Sequence, residues 1–172
     1  SKSFSMSGWR LGFAVSSPST IDVIGTLTNT SLSCVPPFTP LAGIAAMTFD
    51  GAVRDERMAD FQRKVELLVG GLNTIDGVEC LMPGGTFYVF PSVKTICIQH
   101  QITSHGLALF LLEAADEHCG VACLGGECFG DAGQGFLRLS CAAPDERLLR
   151  AIEFIKTAVT RRDRLSSFLE KH

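Results

Sequence analysis

Three side chains in this sequence could do covalent or ionic chemistry by their type and spacing: Lys2, Arg10 and Arg138. A lysine amine condenses with an aldehyde once burial or a neighbouring positive charge lowers its pKa. An arginine eight residues further on can fork onto a phosphate through two parallel hydrogen bonds. Ser1, Ser3, Ser5, Ser7 and Gly8 surround them, and serine hydroxyls can add phosphate contacts. Arg138 lies in Phe136-Leu137-Arg138-Leu139-Ser140, whose apolar and polar residues alternate as in a half-buried strand. Residue type alone leaves two readings of Arg138 open. It is an ordinary strand arginine paired with Asp131 or Asp145, or it binds an anionic ligand. Phe87 and Tyr88 lie in another strand-like run, where packing and a pocket wall are both open to them.

Other chemistries find less support. The seven cysteines are odd in number, form no C-x-x-C pair and have no histidine at metal-ligand spacing. A disulfide framework and a metal site are therefore not expected, and buried free thiols in a reducing compartment are. Gly125, Gly126, Gly130, Gly133 and Gly135 form a glycine-rich stretch with no helix start behind it, so they read as tight turns and not as a nucleotide cradle. A net charge of -3 does not suggest a nucleic-acid binder. Arg161, Arg162 and Arg164 read as the solvated end of a helix. No leader is visible and no apolar run is long enough to cross a bilayer, so a soluble cytoplasmic protein is expected.

The elements that must position these residues follow from periodicity. Leu11 to Val15 reads as a buried strand. Ser16-Ser17-Pro18-Ser19 is helix-start chemistry, and a helix is expected from about Thr20 to about Thr30. Three prolines make residues 33–40 an extended connector. A helix over Leu41 to Met47 and a turn at Asp50-Gly51 follow. Met58, Phe61, Val65, Leu68 and Leu72 then mark the apolar stripe of a longer helix, spaced to pack on a sheet. Val78 to Met82, Thr86 to Phe90, Val93 to Ile98, Val121 to Leu124 and Phe136 to Ser140 read as strands. Ser104 to Glu117 reads as a helix, as does the segment opened by Pro144 with Leu148, Ile152, Ile155 and Val159 on its apolar face. Such an alternation gives an α/β or α+β layered fold. Residues 1–50 do not close a core of their own, whereas residues from about 52 onward can.

The order of residues in Ser1-Lys2-Ser3-Phe4-Ser5-Met6-Ser7-Gly8-Trp9-Arg10-Leu11-Gly12-Phe13 resembles the lysine motif S-K-x-F-x-M-x-G-W-R-x-G-Y/F. That motif belongs to fold-type-I pyridoxal-phosphate enzymes of the aspartate-aminotransferase-like class, the class I/II aminotransferases. Three further stretches agree. Residues 33–39 resemble the connector from the large domain to the interdomain helix. Residues 83–90 resemble P-x-G-[AT]-F-Y-x-F/L beside the substrate pocket. Val121 to Arg138 resembles V-x-x-x-P-G-x-x-F-G-x-x-G-x-G-x-x-R-x-S. The resemblance covers essentially the whole chain.

The resemblance implies a fold: the end of a large pyridoxal-phosphate-binding domain over residues 1–50, then a small α+β C-terminal domain over residues 51–172. It implies that Lys2 is the Schiff-base lysine, that Arg10 and Ser1 bind the cofactor phosphate, and that Arg138 binds the substrate α-carboxylate. Phe87 and Tyr88 become candidates for the pocket wall. It implies pyridoxal 5'-phosphate as cofactor and amino acids and 2-keto acids as substrates. The carboxylate for the pyridine nitrogen and most of the large domain are supplied in the family by residues before the lysine. The resemblance thus implies a C-terminal portion inactive alone, which associates with a like chain as a homodimer or with the N-terminal half. Carbon–sulfur lyases of the same fold share these residues and stay open as an alternative, as does a non-catalytic truncated chain.

Overall fold

A computed structural model describes residues 2–49 and 51–171, so Ser1, Asp50 and His172 lie outside it. The chain divides into two compact units, Ser1–Met58 and Ala59–His172.

In the first unit a single helical turn at Ser7–Trp9 ends on Arg10, which adopts a left-handed conformation. Helix α1 (Pro18–Leu32) follows, with proline at its first position, where a missing N–H costs nothing. Ser17 sits at the cap, yet its hydroxyl is engaged by the hydroxyls of Ser19 and Thr20 and bonds no backbone N–H. Helix α2 spans Phe38–Thr48. It starts inside the expected connector, with Pro40 in its first turn, where proline is tolerated. Residues 11–15 are not a strand: they are irregular and largely exposed. A strand exists only through its partner, and among the described residues none lies alongside. Leu11 packs its side chain against Gly43 of α2 instead. Met6, Thr39 and Gly43 are the buried positions of this unit among the described residues, and α1 buries none of its side chains. This unit is held by short-range hydrogen bonds and by one from Arg57 to the Ser5 hydroxyl, not by a core.

Helix α3 (Ala52–Leu72) begins in the first unit and continues into the second. Of its expected stripe, Val65, Leu68 and Leu72 are buried together with Val69, Phe61 is half-buried, and Met58 stays exposed. The second unit is built on a three-stranded antiparallel sheet of order β1–β3–β2, formed by β1 (Tyr88–Val89), β2 (Leu124–Gly125) and β3 (Leu137–Ser140). Tyr88 stands opposite Ser140 and Leu124 opposite Arg138. Helices α4 (Lys94–His100), α5 (Ser104–Leu109), α6 (Asp145–Ala158) and α7 (Arg162–Leu169) surround it. The expected strand at 93–98 is α4. The ladder stops just before it, where Ser92 bridges Glu79 and Phe136, and the Val93 N–H donates to the Gly135 carbonyl. From there a helical spacing buries Val93 and Ile96 together. The expected strand at 78–82 shrinks to that bridge. The expected helix over 104–117 is α5 followed by one wide, π-type turn at Phe110–Ala114.

Leu68, Leu107, Phe110, Leu111 and Leu137 are at most 1% exposed, and each contributes roughly 1.5–3 kcal/mol by leaving water. Gly71 lets α3 approach α6, because a Cβ there would run into the Ile152 side chain. Arg63 on α3 forks onto both oxygens of Asp145 at 2.7 and 2.9 Å. Of the three arginines, Arg162 is exposed as expected, but Arg161 and Arg164 are not simply solvated. Arg161 donates to the Ala115 carbonyl at 2.8 Å and to Asp116 at 3.2 Å, and Arg164 meets Glu117 at 3.0 Å. They tie the C-terminal segment to the end of the π-type turn.

Asp116 is the titratable link in that tie. The His118 backbone N–H, 2.9 Å away, lowers its pKa from the ordinary 3.8 to about 2, with Arg161 adding to the effect against partial desolvation. A lowered carboxylate pKa stabilises the fold above the ordinary value, and the contribution disappears as pH falls through the folded value. Asp116→Asn should therefore lower the urea midpoint at pH 7 and flatten its fall between about pH 4 and pH 2 relative to wild type. Equal slopes in that window for the two proteins would remove Asp116 from the acid response.

Candidate functional site

The first unit brings Lys2 and Arg10 to one residue. Lys2 Nζ donates to Ser7 Oγ at 3.2 Å, and Arg10 Nη1 donates to the Ser7 carbonyl at 3.1 Å. Positive φ at both Ser5 and Arg10 (53°) bends the loop so that this happens within nine residues of chain. The turn is anchored by Trp9 N–H donating to the Met6 carbonyl, with Met6 buried. Lys2 and Arg10 are exposed. Beside them Ser5, Trp9, Arg10, Cys34, Phe38 and Thr39 line a cleft of about 690 Å³. An amine and a planar guanidinium hydrogen-bonded to the same serine bring together donors for an anion and, in the deprotonated amine, a nucleophile for an aldehyde. Ser1, expected to share the phosphate, lies outside the described residues.

The second unit places Arg138 at the centre of its sheet. Leu137 and Leu139 are buried on one side of β3, and the arginine emerges on the other. Its two candidate acidic partners are not used. Asp145 is taken by Arg63, and among the described residues Arg138 forms no ion pair. Its guanidinium lies instead over the rings of Tyr88 at 4.4 Å and Phe129 at 4.7 Å. Contacts of this kind are worth about 0.5–1 kcal/mol each at an exposed site, and they leave the charge unneutralised. Tyr88 is supported by Phe87 at 4.4 Å, and Phe87 by Phe61 at 5.8 Å. Phe129 had no role in the sequence reading. The signal was the F-G step of the motif at Phe129-Gly130, which names a residue type and not a contact.

The glycine-rich stretch carries Phe129. Gly130 and Gly135 have positive φ, as tight turns require. Gly126 and Gly133 serve a different purpose, since a Cβ on either would strike the backbone of the other. Buried Ser104 fixes this loop to α5: its Oγ donates to Glu127 Oε1 at 2.6 Å and accepts from the Gly135 N–H at 2.9 Å. Desolvation raises the Glu127 pKa, but donation from Ser104 and from the backbone at 104–105 outweighs it and the net shift is downward. The second oxygen, Oε2, is buried without a partner. Burial holds the thiols of Cys97 and Cys123 up at about 11, and Cys80 and Cys141 are also raised. None of the four is a nucleophile at neutral pH.

A lysine–arginine turn, an unpaired sheet arginine and a small antiparallel sheet flanked by helices define a mixed α/β protein of the aspartate-aminotransferase type. Residues 1–155 match the family model "Aminotransferase class I and II". The chain belongs to that family. It is 34% identical over 177 residues to an aspartate aminotransferase of Rhizobium meliloti (strain 1021), an alignment spanning 96% of this chain and 40% of the relative. It is 32% identical over 152 residues to an LL-diaminopimelate aminotransferase of Dehalococcoides mccartyi (strain CBDB1), covering 88% and 37%. Among solved structures, an aromatic aminotransferase from Pyrococcus horikoshii OT3 superposes with a TM-score of 0.83 at 28% identity, covering 95% of this chain and 42% of that one. The chain thus spans about 40% of the length of the curated relatives it matches.

The Ser104 network generates a stability test. Ser104→Ala strips Glu127 of its shortest hydrogen bond and orphans the Gly135 N–H, so the urea midpoint should fall by an amount equivalent to about 2–3 kcal/mol. A loss below about 0.5 kcal/mol would show that the loop does not depend on this hydroxyl.

Proposed function

We propose that these residues serve a pyridoxal-phosphate-dependent aminotransferase, which moves an amino group between an amino acid and a 2-keto acid. The observation that carries the reading is the meeting of Lys2 and Arg10 on Ser7. That pair fits the cofactor's two ends, an amine for its aldehyde and a guanidinium fork for its phosphate. Lys2, Arg10 and Ser1 would hold it. When bound, pyridoxal phosphate supplies the electron sink for a carbanion at the substrate Cα.

The chain's own residues do the rest. Arg138 binds the substrate α-carboxylate through in-plane N–H donors, which orients the Cα–H bond. Lys2 Nζ takes the proton from Cα and returns it, acting as general base and then general acid. Arg10 keeps the phosphate in place while Lys2 moves. Tyr88 and Phe87 wall the carboxylate subsite. Seven free thiols suit a reducing compartment, and we place the protein in the cytoplasm. No helix among the described residues is long and apolar enough to cross a membrane. Exposed Phe13, Val15, Leu27, Phe38 and Met47 in the first unit support association, either as a homodimer or with a polypeptide carrying the remaining length of the family.

Incubation with pyridoxal phosphate, borohydride reduction and peptide mass analysis test the reading without turnover. The adduct is expected at Lys2 and not at Lys64, Lys94, Lys156 or Lys171. Arg10→Ala should reduce it by roughly tenfold, the worth of one charge-assisted hydrogen bond. Labelling spread evenly over the five lysines would overturn the assignment of Lys2.

Turnover is a separate matter. The 172-residue chain alone is expected to transaminate no faster than free pyridoxal phosphate. Rates well above that background would contradict the need for a partner.

A further inference from the structure

We propose that Phe129 is a positioning residue for Arg138: its ring holds the guanidinium in the orientation that accepts a carboxylate, without neutralising it. The proposal rests on the reading of Arg138 as the carboxylate-binding arginine.

Three observations support it. Phe129 is 50% exposed, so core filling does not account for a large apolar ring at this place. Its contact with the Arg138 Cζ, at 4.7 Å, is complemented by Tyr88 at 4.4 Å, and among the described residues no carboxylate pairs with that cation. Finally, Phe129 is itself braced. Its edge meets Phe90 at 5.9 Å and 78°, and Phe90 stacks on Phe136 at 5.2 Å and 10°. Lys94 Nζ lies 4.7 Å over Phe136 and closes the row. The ring that faces Arg138 is thus fixed by other rings as well as by its own backbone.

The chemistry explains the choice of a ring. A guanidinium has two faces without donors and an edge carrying its N–H groups. An aromatic face attracts the cation through the face of the guanidinium and leaves the edge free. A carboxylate on the protein would restrain Arg138 equally well, but it would occupy the donors a substrate needs. Leucine at position 129 keeps the apolar bulk and removes the π face, whereas tyrosine keeps the face.

The test uses the full 172-residue chain, ¹⁵N-labelled, with sodium acetate as the probe at constant ionic strength. The arginine Nε–Hε resonances are followed by NMR, and Arg138→Lys identifies the signal of Arg138. In wild type the Arg138 resonance is expected to carry a ring-current shift and to move with acetate. Phe129→Leu should change that shift to the part contributed by Tyr88 alone and weaken acetate binding by about threefold. Phe129→Tyr should restore both, and the urea midpoints of all three proteins should agree. Wild-type acetate affinity in Phe129→Leu overturns the proposal while leaving Arg138 as the carboxylate group. A Phe129→Leu protein that unfolds also overturns it, because the ring is then structural. A folded wild-type chain whose Arg138 signal ignores acetate overturns the carboxylate reading itself, and this proposal with it.

Discussion

The alternation along β3 is the constraint on which the second unit depends. Leu137 and Leu139 turn into the core, where they are 1% and 5% exposed. Arg138, between them, has no choice but the opposite face. A shift of register by one residue would bury the guanidinium and expose two leucines, which the loss of apolar burial and the desolvation of a charge both forbid. The middle position of β3 adds a second lock, since partners on both sides fix its register: Tyr88 against Ser140, and Leu124 against Arg138. The same pairings deliver the ring of Tyr88 and the loop bearing Phe129 to the neighbourhood of the arginine.

The first unit solves its positioning problem by other means. With Met6 as its one buried apolar side chain among the described residues, it has no core to lean on. The geometry of its Lys2–Arg10 turn is set by backbone dihedrals and short-range hydrogen bonds. Two non-glycine residues with positive φ carry a small conformational cost, about 1 kcal/mol or somewhat more each. That cost is offset only if the surroundings enforce the turn. The hydrogen bonds of Lys2 and Arg10 to Ser7 contribute, but they are exposed and compete with water. An anion bound to both cations would add charge-assisted bonds to the same turn and so would couple binding to loop order.

How much of this was legible in the sequence differs by element. The long helices were, because Leu68 and Leu72 on α3, and Leu148, Ile152 and Ile155 on α6, repeat at helical spacing regardless of context. Arg138 and Lys2 were singled out by motif order, and the surface fate of Arg138 follows from the strand pattern. The short elements were not legible. Val93 to Ile98 is β-branched and apolar, which suits a strand by propensity, but the ladder is already complete at Ser92 and the core takes Ile96 from a helix. Leu11 to Val15 has the composition of a strand and no partner among the described residues. Phe129, the pairing of Arg63 with Asp145 and the tie from Arg161 to Asp116 join residues 9, 82 and 45 positions apart. No local pattern encodes such distances.

The Arg63–Asp145 pair engages one of the two carboxylates that sequence order offers Arg138. Asp145 opens α6 seven residues after the arginine, and an unengaged carboxylate there would be an available partner for any nearby cation. Arg63 takes both of its oxygens, and its hydrogen bonds, with its charge adding to them, lower the Asp145 pKa, so the group stays ionised and committed. The pair is exposed and therefore contributes little to stability as an isolated ion pair. Its larger consequence is specificity of pairing. Each carboxylate that is satisfied elsewhere leaves Arg138 to the rings, and a cation held only by rings retains its full complement of donors for a ligand. Site and scaffold are thus linked through what the acidic residues are prevented from doing.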